Sequence, residues 1–209
     1  MPTTVVFDLG AVLIDWDPRY AYRQMGGTEA EIEHFLAHVA TSEWNRQFDA
    51  GRPFADGIAE RKRRFPEHAD WLDAWWSKWP DMLGGPIDGT VEILRELKTA
   101  GVPLLALTNW SAETFPIARQ RFDFLGWFEG IVVSGEVGLA KPDVLLFEHL
   151  VDRFELDPRR RRVHRRLAPE RRGGRRARLP HRPLFRPLRL APRPRRPRPA
   201  CFRDVGRRA

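Results

Sequence analysis

The chain has 209 residues but only one cysteine, Cys201, which leaves no disulfide framework and no thiolate metal site. No apolar run approaches the roughly 20 residues that a helix needs to cross a bilayer. The first residues lead into a predicted strand at 3–7 without the basic region and apolar stretch of a signal peptide. We therefore expect a cytoplasmic protein with no membrane partner, and no pattern specifies an oligomeric state.

Nine residue types are absent after residue 158: Lys, Trp, Tyr, Met, Ile, Ser, Thr, Asn and Gln. Residues 1–158 carry 15 Lys and Arg against 26 Asp and Glu, whereas residues 159–209 carry 21 Arg against Glu170 and Asp204. The net charge of +8 therefore averages an acidic segment and a strongly basic one. With eight prolines and no apolar periodicity, the Arg-rich tail (159–209) is predicted to be disordered.

The first 158 residues show the periodicities of a folded enzyme. Thr28 and Glu31 form a predicted capping box, and Ile32, Phe35, Leu36 and Val39 follow at helical spacing. Beyond residue 83 helices and strands alternate: helix 90–101, strand 102–109, helix 111–122, strand 130–138 and helix 143–156.

This alternation after one early strand predicts an α/β fold with a doubly wound, Rossmann-like parallel sheet. We expect the α/β core to comprise residues 1–15 and 84–158, with a helical insertion at 16–83.

Polar side chains follow three of the predicted strands. Asp8 comes after the first, Thr108 and Asn109 after the second, and Lys141 just beyond the third. Ligands bind outside the carboxyl ends of such strands. A carboxylate nucleophile, a hydroxyl and an ammonium group are what displacement through an aspartyl ester needs.

The ordered segments "VVFDLGAVL", "LLALTNWS" and "GLAKPDVLLF" resemble the haloacid dehalogenase superfamily of hydrolases over residues 1–158. The resemblance implies that Asp8 attacks phosphorus or carbon while Thr108 and Lys141 hold the transferring group. It further implies Mg²⁺ on the Asp8 carboxylate and the Gly10 carbonyl in phosphatases. The insertion 16–83 would be a cap, in which the stretch 43–54 sets substrate choice.

Several other residues have two interpretations. Arg19, Arg46 and Arg52 are candidates for binding an anionic substrate, or are solvated surface charges. Asn109 either contacts substrate or holds its loop.

The stripe of Trp71, Trp75, Trp76 and Trp79 is more typical of a cap core than of a substrate platform. Asp15 and Asp17 also form an Asp-x-Asp pair, but this pair follows the loop rather than the strand, which favours a structural role.

Position 10 departs from the pattern of many phosphatases in the family. These carry a second aspartate two residues after the nucleophile, as general acid to the leaving oxygen. Haloacid dehalogenases lack that acid, yet a branch of sugar-phosphate phosphatases also carries "DLG". We therefore favour a phosphatase of a small, sugar-phosphate-like monoester, with a dehalogenase as the alternative.

The fourth motif of the family, a strand ending in paired acidic residues that complete the Mg²⁺ site, is missing after "FELDP". The codons GTT CAT CGA CGA CTC are one possible encoding of residues 163–167. Without its first base, the same sequence reads Phe-Ile-Asp-Asp-Ser. Continued to residue 174, this frame permits "FIDDSPQNVEAA", the missing motif. We interpret the residues after about 158–162 as a frameshift product.

The alternative is that the tail binds nucleic acid, since 21 Arg attract phosphates. Only Phe185 and Phe202 could stack on bases, and no recognition motif is present, so we expect adventitious binding at most. Loss of the fourth motif predicts impaired activity. It also predicts that strand one becomes an unpaired, aggregation-prone edge.

Overall fold

The computed structural model describes residues 4–156 and, for the backbone alone, residues 162 and 163. The described helices and strands, in chain order, are β1 (Val5–Phe7), β2 (Ile14–Trp16), α1 (Arg19–Gln24), α2 (Glu29–His38), α3 (Ser42–Asp49), α4 (Phe54–Arg64), α5 (Ala69–Ser77), β3 (Leu83–Pro86), α6 (Asp88–Thr99), β4 (Leu104–Thr108), α7 (Phe115–Arg121), β5 (Gly130–Val133), α8 (Ser134–Val137), α9 (Val144–Arg153) and β6 (Arg162–Val163). Single 3₁₀ turns occupy Pro66–His68, Trp79–Met82 and Asp123–Trp127.

The central sheet is parallel, with strand order β5-β4-β1-β6. Val5 pairs with Leu104 and Phe7 with Ala106. All residues of β1 and β4 are buried, as expected of strands covered on both faces. The predicted α/β class with a doubly wound parallel sheet is confirmed.

Two predicted elements differ most from their predicted bounds. The predicted helix 111–122 begins only at Phe115, because Pro116 has no N–H to donate and fits the first turn of a helix. The predicted strand 130–138 ends at Val133, where α8 makes a single turn. Gly138 follows with a φ of 74°, a left-handed conformation that ends the turn.

Residues 19–77 contribute five α-helices between β2 and β3. The capping box of α2 is confirmed: the Glu31 N–H donates to Thr28 Oγ1 at 3.3 Å, and the Thr28 N–H donates to Glu31 Oε2 at 2.9 Å. Buried aromatic rings join these helices, with Tyr22 stacked on Trp71 at 4.9 Å between ring centroids. The insertion and one face of the sheet form one core, and the other face of the sheet packs against α9.

The expectation that strand one is an unpaired edge is wrong. Val5 pairs with Arg162 and Val6 with Val163 in a parallel ladder, so β6 lies beside β1 on the side opposite β4. The predicted disorder, the frameshift and the nucleic-acid alternative concern the rest of the tail, which lies outside the described residues. No described helix is long and apolar enough to cross a membrane.

Candidate active site

Three predicted site residues, Asp8, Asn109 and Lys141, meet at the carboxyl end of the sheet. Lys141 Nζ lies 2.7 Å from Asp8 Oδ2 and donates to the Leu107 carbonyl at 3.1 Å. The other carboxylate oxygen of Asp8 accepts from the Leu9 N–H at 2.9 Å. The Asp8 side chain is 37% exposed, so the paired carboxylate is still accessible from solvent.

Asn109 holds the Lys141 backbone from both sides. Its Nδ2 donates to the Lys141 carbonyl at 3.1 Å, and its Oδ1 accepts from the Lys141 N–H at 2.7 Å. The side chain thus joins the loop after β4 to the segment that carries the lysine. This geometry supports the interpretation of Asn109 as a residue that holds its loop.

Thr108 ends β4 and is completely buried. Its hydroxyl reaches the Asn109 carbonyl only at 3.4 Å, which is long for an O–H···O hydrogen bond. This weak internal bond leaves the Thr108 hydroxyl available to donate to a ligand at this end of the sheet.

The loop after β1 turns tightly around the Leu9 carbonyl, which accepts from the Leu13 N–H at 2.8 Å and the Ile14 N–H at 3.0 Å. Ala11 takes a φ of 58°. At Gly10, an added Cβ would meet no atom within 4 Å. Position 10 therefore opens into free space.

A cavity of about 150 Å³ lies beside this loop. Aromatic side chains form much of its wall, and residues from the insertion and from the core share it: Gly10, Ala11, Trp16, Asn45, Asp49, Phe54, Trp79, Asn109, Trp110, Ser111 and Thr114. Three buried donors in this wall, Trp16 Nε1, Trp110 Nε1 and Thr114 Oγ1, have no hydrogen-bond partner among the described residues. An aromatic cavity with unused donors suits an organic ligand that bears hydrogen-bond acceptors.

Asp49 reaches this cavity from the end of α3. Burial raises the pKa of its carboxyl from 3.8 to about 6, while Lys141 and Arg46 act in the opposite direction. The Ser134 hydroxyl donates to the Asp49 carbonyl and accepts from the Trp110 N–H at 2.9 Å. These bonds attach the loop after α3 to the core.

Sequence reasoning identified neither Asp49 nor Ser134 as a site residue. The available signals were the position of Asp49 inside the stretch 43–54 and the position of Ser134 directly after a buried strand.

The three candidate arginines lie outside this cavity. Arg19 Nε lies 2.6 Å from Glu33 and its Nη1 3.1 Å from Asp17. Arg52 pairs with Glu60. Arg46 is exposed on α3, and its charge lowers the pKa of Asp49.

The Asp-x-Asp pair has the structural role that the sequence favours. Asp15 Oδ2 accepts from the Tyr20 hydroxyl at 2.6 Å, and Asp17 Oδ1 accepts from the Arg19 N–H at 3.0 Å.

The tryptophan stripe has mixed surroundings: Trp75 and Trp79 are buried, Trp71 packs against the core, and Trp76 is 42% exposed. Trp79 also belongs to the cavity wall.

Comparison with known proteins shows which hydrolase family has this arrangement. The family model described as haloacid dehalogenase-like hydrolase matches residues 2–160, most of the chain. The chain belongs to the haloacid dehalogenase-like hydrolases. The resemblance seen in the three sequence motifs is therefore confirmed, and the protein is a hydrolase.

Within this family, the chain is 26% identical over 151 residues to a sesquiterpene phosphatase of Aspergillus oryzae, covering 72% of this chain and 73% of that protein. A HAD-family enzyme of Bacteroides thetaiotaomicron, solved with magnesium and inorganic phosphate, matches at a TM-score of 0.55 and 18% identity over 77% of this chain and 82% of that one. A dehalogenase matches at 0.55 and 21% identity, over 75% and 73%. These two structural matches show the shared fold.

The oxygen donors that the resemblance assigns to Mg²⁺ are present. Asp8 and Gly10 are both in the loop after β1. The described residues contain no group of three or more His, Cys, Asp or Glu side chains that could hold a metal. Because Mg²⁺ is commonly bound by one or two carboxylates together with substrate phosphate oxygens, Asp8 and Gly10 fit as the protein's part of such a site.

Proposed function

We propose that this hydrolase is a phosphatase that cleaves a small phosphomonoester through an aspartyl-phosphate. The observation that carries the proposal is the 2.7 Å pairing of Lys141 with Asp8, at the end of the sheet where the buried Thr108 also ends β4. The Aspergillus oryzae relative, named as a phosphatase, supports the same reaction class.

In the proposed mechanism, a carboxylate oxygen of Asp8 attacks phosphorus while the bond from phosphorus to the ester oxygen breaks. The Lys141 ammonium and the Thr108 hydroxyl stabilise the charge on the transferring phosphoryl oxygens. Water then attacks phosphorus and releases phosphate and free Asp8. Mg²⁺, held by Asp8 and the Gly10 carbonyl, would neutralise charge on the phosphoryl group.

The lining of the cavity suits a small organic leaving group. Its aromatic walls suit the apolar face of a carbon skeleton, and its unused Trp16, Trp110 and Thr114 donors suit hydroxyl groups such as those of a sugar. We propose that the helices of residues 16–83 act as the cap over this cavity. A panel of sugar phosphates and prenyl phosphates, compared by kcat/KM, tests the substrate class.

A 2-haloacid dehalogenase is the second candidate, and Gly10 favours it, because halide leaves without a proton. Parallel measurement of phosphate and halide release decides between the two activities. Halide release without phosphate release would overturn the phosphatase proposal.

We also propose that a frameshift has removed the fourth motif and impairs the chain as given. Removing the first base of codon 163 encodes the frame-restored chain, which reads Phe-Ile-Asp-Asp-Ser from that point. Resequencing codons 155–170 tests the origin of the tail. Magnesium-dependent phosphatase activity of the chain as given, equal to that of the frame-restored chain, would refute the impairment.

The role of Asp8 is tested with p-nitrophenyl phosphate in the frame-restored chain. Asp8→Asn should abolish turnover, since an amide is a poor nucleophile. Asp15→Asn is the matched control, because Asp15 bonds Tyr20 rather than the site, and it should retain turnover. Full activity of Asp8→Asn would exclude the aspartyl-phosphate.

A further inference from the structure

We infer that Asp49 is the general acid of this phosphatase: it protonates the leaving oxygen, a role that position 10 of this chain has no side chain to fill. The inference rests on the proposed function. It concerns how the leaving group departs, and not whether Asp8 is the nucleophile.

The chemistry requires a proton donor for most substrates. An alkoxide is a strongly basic leaving group, and its departure from phosphorus is slow unless a proton reaches the ester oxygen. Gly10 offers none, and the space next to it is open. A donor that reaches this space must therefore come from another segment.

Asp49 is the carboxylic acid in the wall of the cavity that also includes Gly10 and Asn109. Its position depends on the core as well as on its own helix. The Ser134 hydroxyl donates to the Asp49 carbonyl, and a Cβ at Gly51 would lie 3.1 Å from the Gly135 carbonyl. A further bond, from the Phe54 N–H to Glu113 Oε1 at 2.8 Å, holds the other end of the loop.

The surroundings of Asp49 suit a group that gives up and regains a proton. Its carboxyl has no hydrogen-bond donor among the described residues, whereas Asp8 has both the Leu9 N–H and Lys141. Burial raises the pKa of Asp49 to about 6. The charged groups that act on it are Lys141 from the core and Arg46 from its own helix, and both favour the carboxylate. The two carboxyl groups therefore have different surroundings: Asp8 is held by two donors, and Asp49 by none among the described residues.

Asp8 forms a bond to phosphorus, the bond from phosphorus to the ester oxygen breaks, and the proton of Asp49 moves to that oxygen, so that an alcohol leaves. In the second half, the Asp49 carboxylate takes a proton from the water that attacks the phospho-aspartate. Phosphate leaves, and Asp49 is again protonated.

The test compares leaving groups in the frame-restored chain and, in parallel, in the chain as given. Asp49→Asn keeps the shape but has no proton to transfer. For an alkyl phosphate, glycerol phosphate, we expect kcat/KM to fall at least about 100-fold. For p-nitrophenyl phosphate the loss should stay below about tenfold, because p-nitrophenolate leaves readily without a proton. The matched control is Asp56→Asn, at an exposed position of α4, which should change neither value.

A second variant separates catalysis from folding. Gly10→Asp in the Asp49→Asn background places a carboxyl in open space beside the site. The double variant should hydrolyse glycerol phosphate at least about tenfold faster than Asp49→Asn alone. Equal losses for both substrates, or no loss for glycerol phosphate, would overturn the role of Asp49. Inactivity of the unsubstituted frame-restored chain towards both substrates would instead refute the proposed function itself.

Discussion

Asn109→Ala should destabilise the protein and displace Lys141. The substitution removes the two hydrogen bonds, of 3.1 and 2.7 Å, by which Asn109 holds the Lys141 backbone. Each such bond contributes about 0.5–1.5 kcal/mol, so the free energy of unfolding should fall by about 1–3 kcal/mol. For a domain of this size each kcal/mol corresponds to a shift of about 2–4 °C in Tm.

Urea unfolding followed by tryptophan fluorescence measures this loss, since all eight tryptophans lie in the first 158 residues. The control is Asn45→Ala, on α3, because Asn45 makes no hydrogen bond to Lys141 among the described residues. Its free energy of unfolding should change by less than about 0.5 kcal/mol. In the frame-restored chain, Asn109→Ala should also lower kcat, because Lys141 loses its fixed position. If the two variants lose equal stability, the hydrogen bonds of Asn109 do not hold this loop.

Three further predictions follow from single side chains. Gly135→Ala should cost about 1–3 kcal/mol of stability by urea unfolding, because its Cβ would lie 2.5 Å from the Ala112 nitrogen; Gly89→Ala, with open space around it on α6, should instead gain up to about 1 kcal/mol, and equal effects would contradict the packing argument. Asp49→Asn should raise stability at pH 7 by roughly 1–3 kcal/mol. The reason is that the pKa of this carboxyl is about 6 in the folded state and 3.8 ordinarily. The carboxyl therefore lowers stability as the pH rises from about 4 to about 6. If the free energy of unfolding depends on pH in the same way in Asp49→Asn and in the unsubstituted chain, the pKa shift is disproved. Thr108→Val should lower kcat/KM in the frame-restored chain by about 10²–10³-fold with little change in Tm, and retained activity would exclude the hydroxyl from the site.

The neighbours of the insertion's charged residues could not be read from the sequence. Arg19 could have been a surface charge or a binding residue for an anionic substrate. The structure pairs it with Glu33, which lies on another helix. In the same way, Asp49 meets the core through Ser134, 85 residues further along the chain. Periodicity describes which face of a helix is buried, but not which distant loop that face meets.

The fold class and the positions of Asp8, Thr108 and Lys141 followed from the sequence by itself. Buried parallel strands are nearly continuous apolar runs, and their carboxyl ends lie along one edge of the sheet, so residues that follow different strands meet there. The tertiary structure alone decided that Asp49 shares the cavity with Gly10, that Asn109 holds Lys141, and that β6 lies beside β1. These contacts join segments far apart in the chain. The Asp49 contact forms only when the insertion and the sheet bury their apolar faces against each other, and the other two depend on the order of the strands in the sheet.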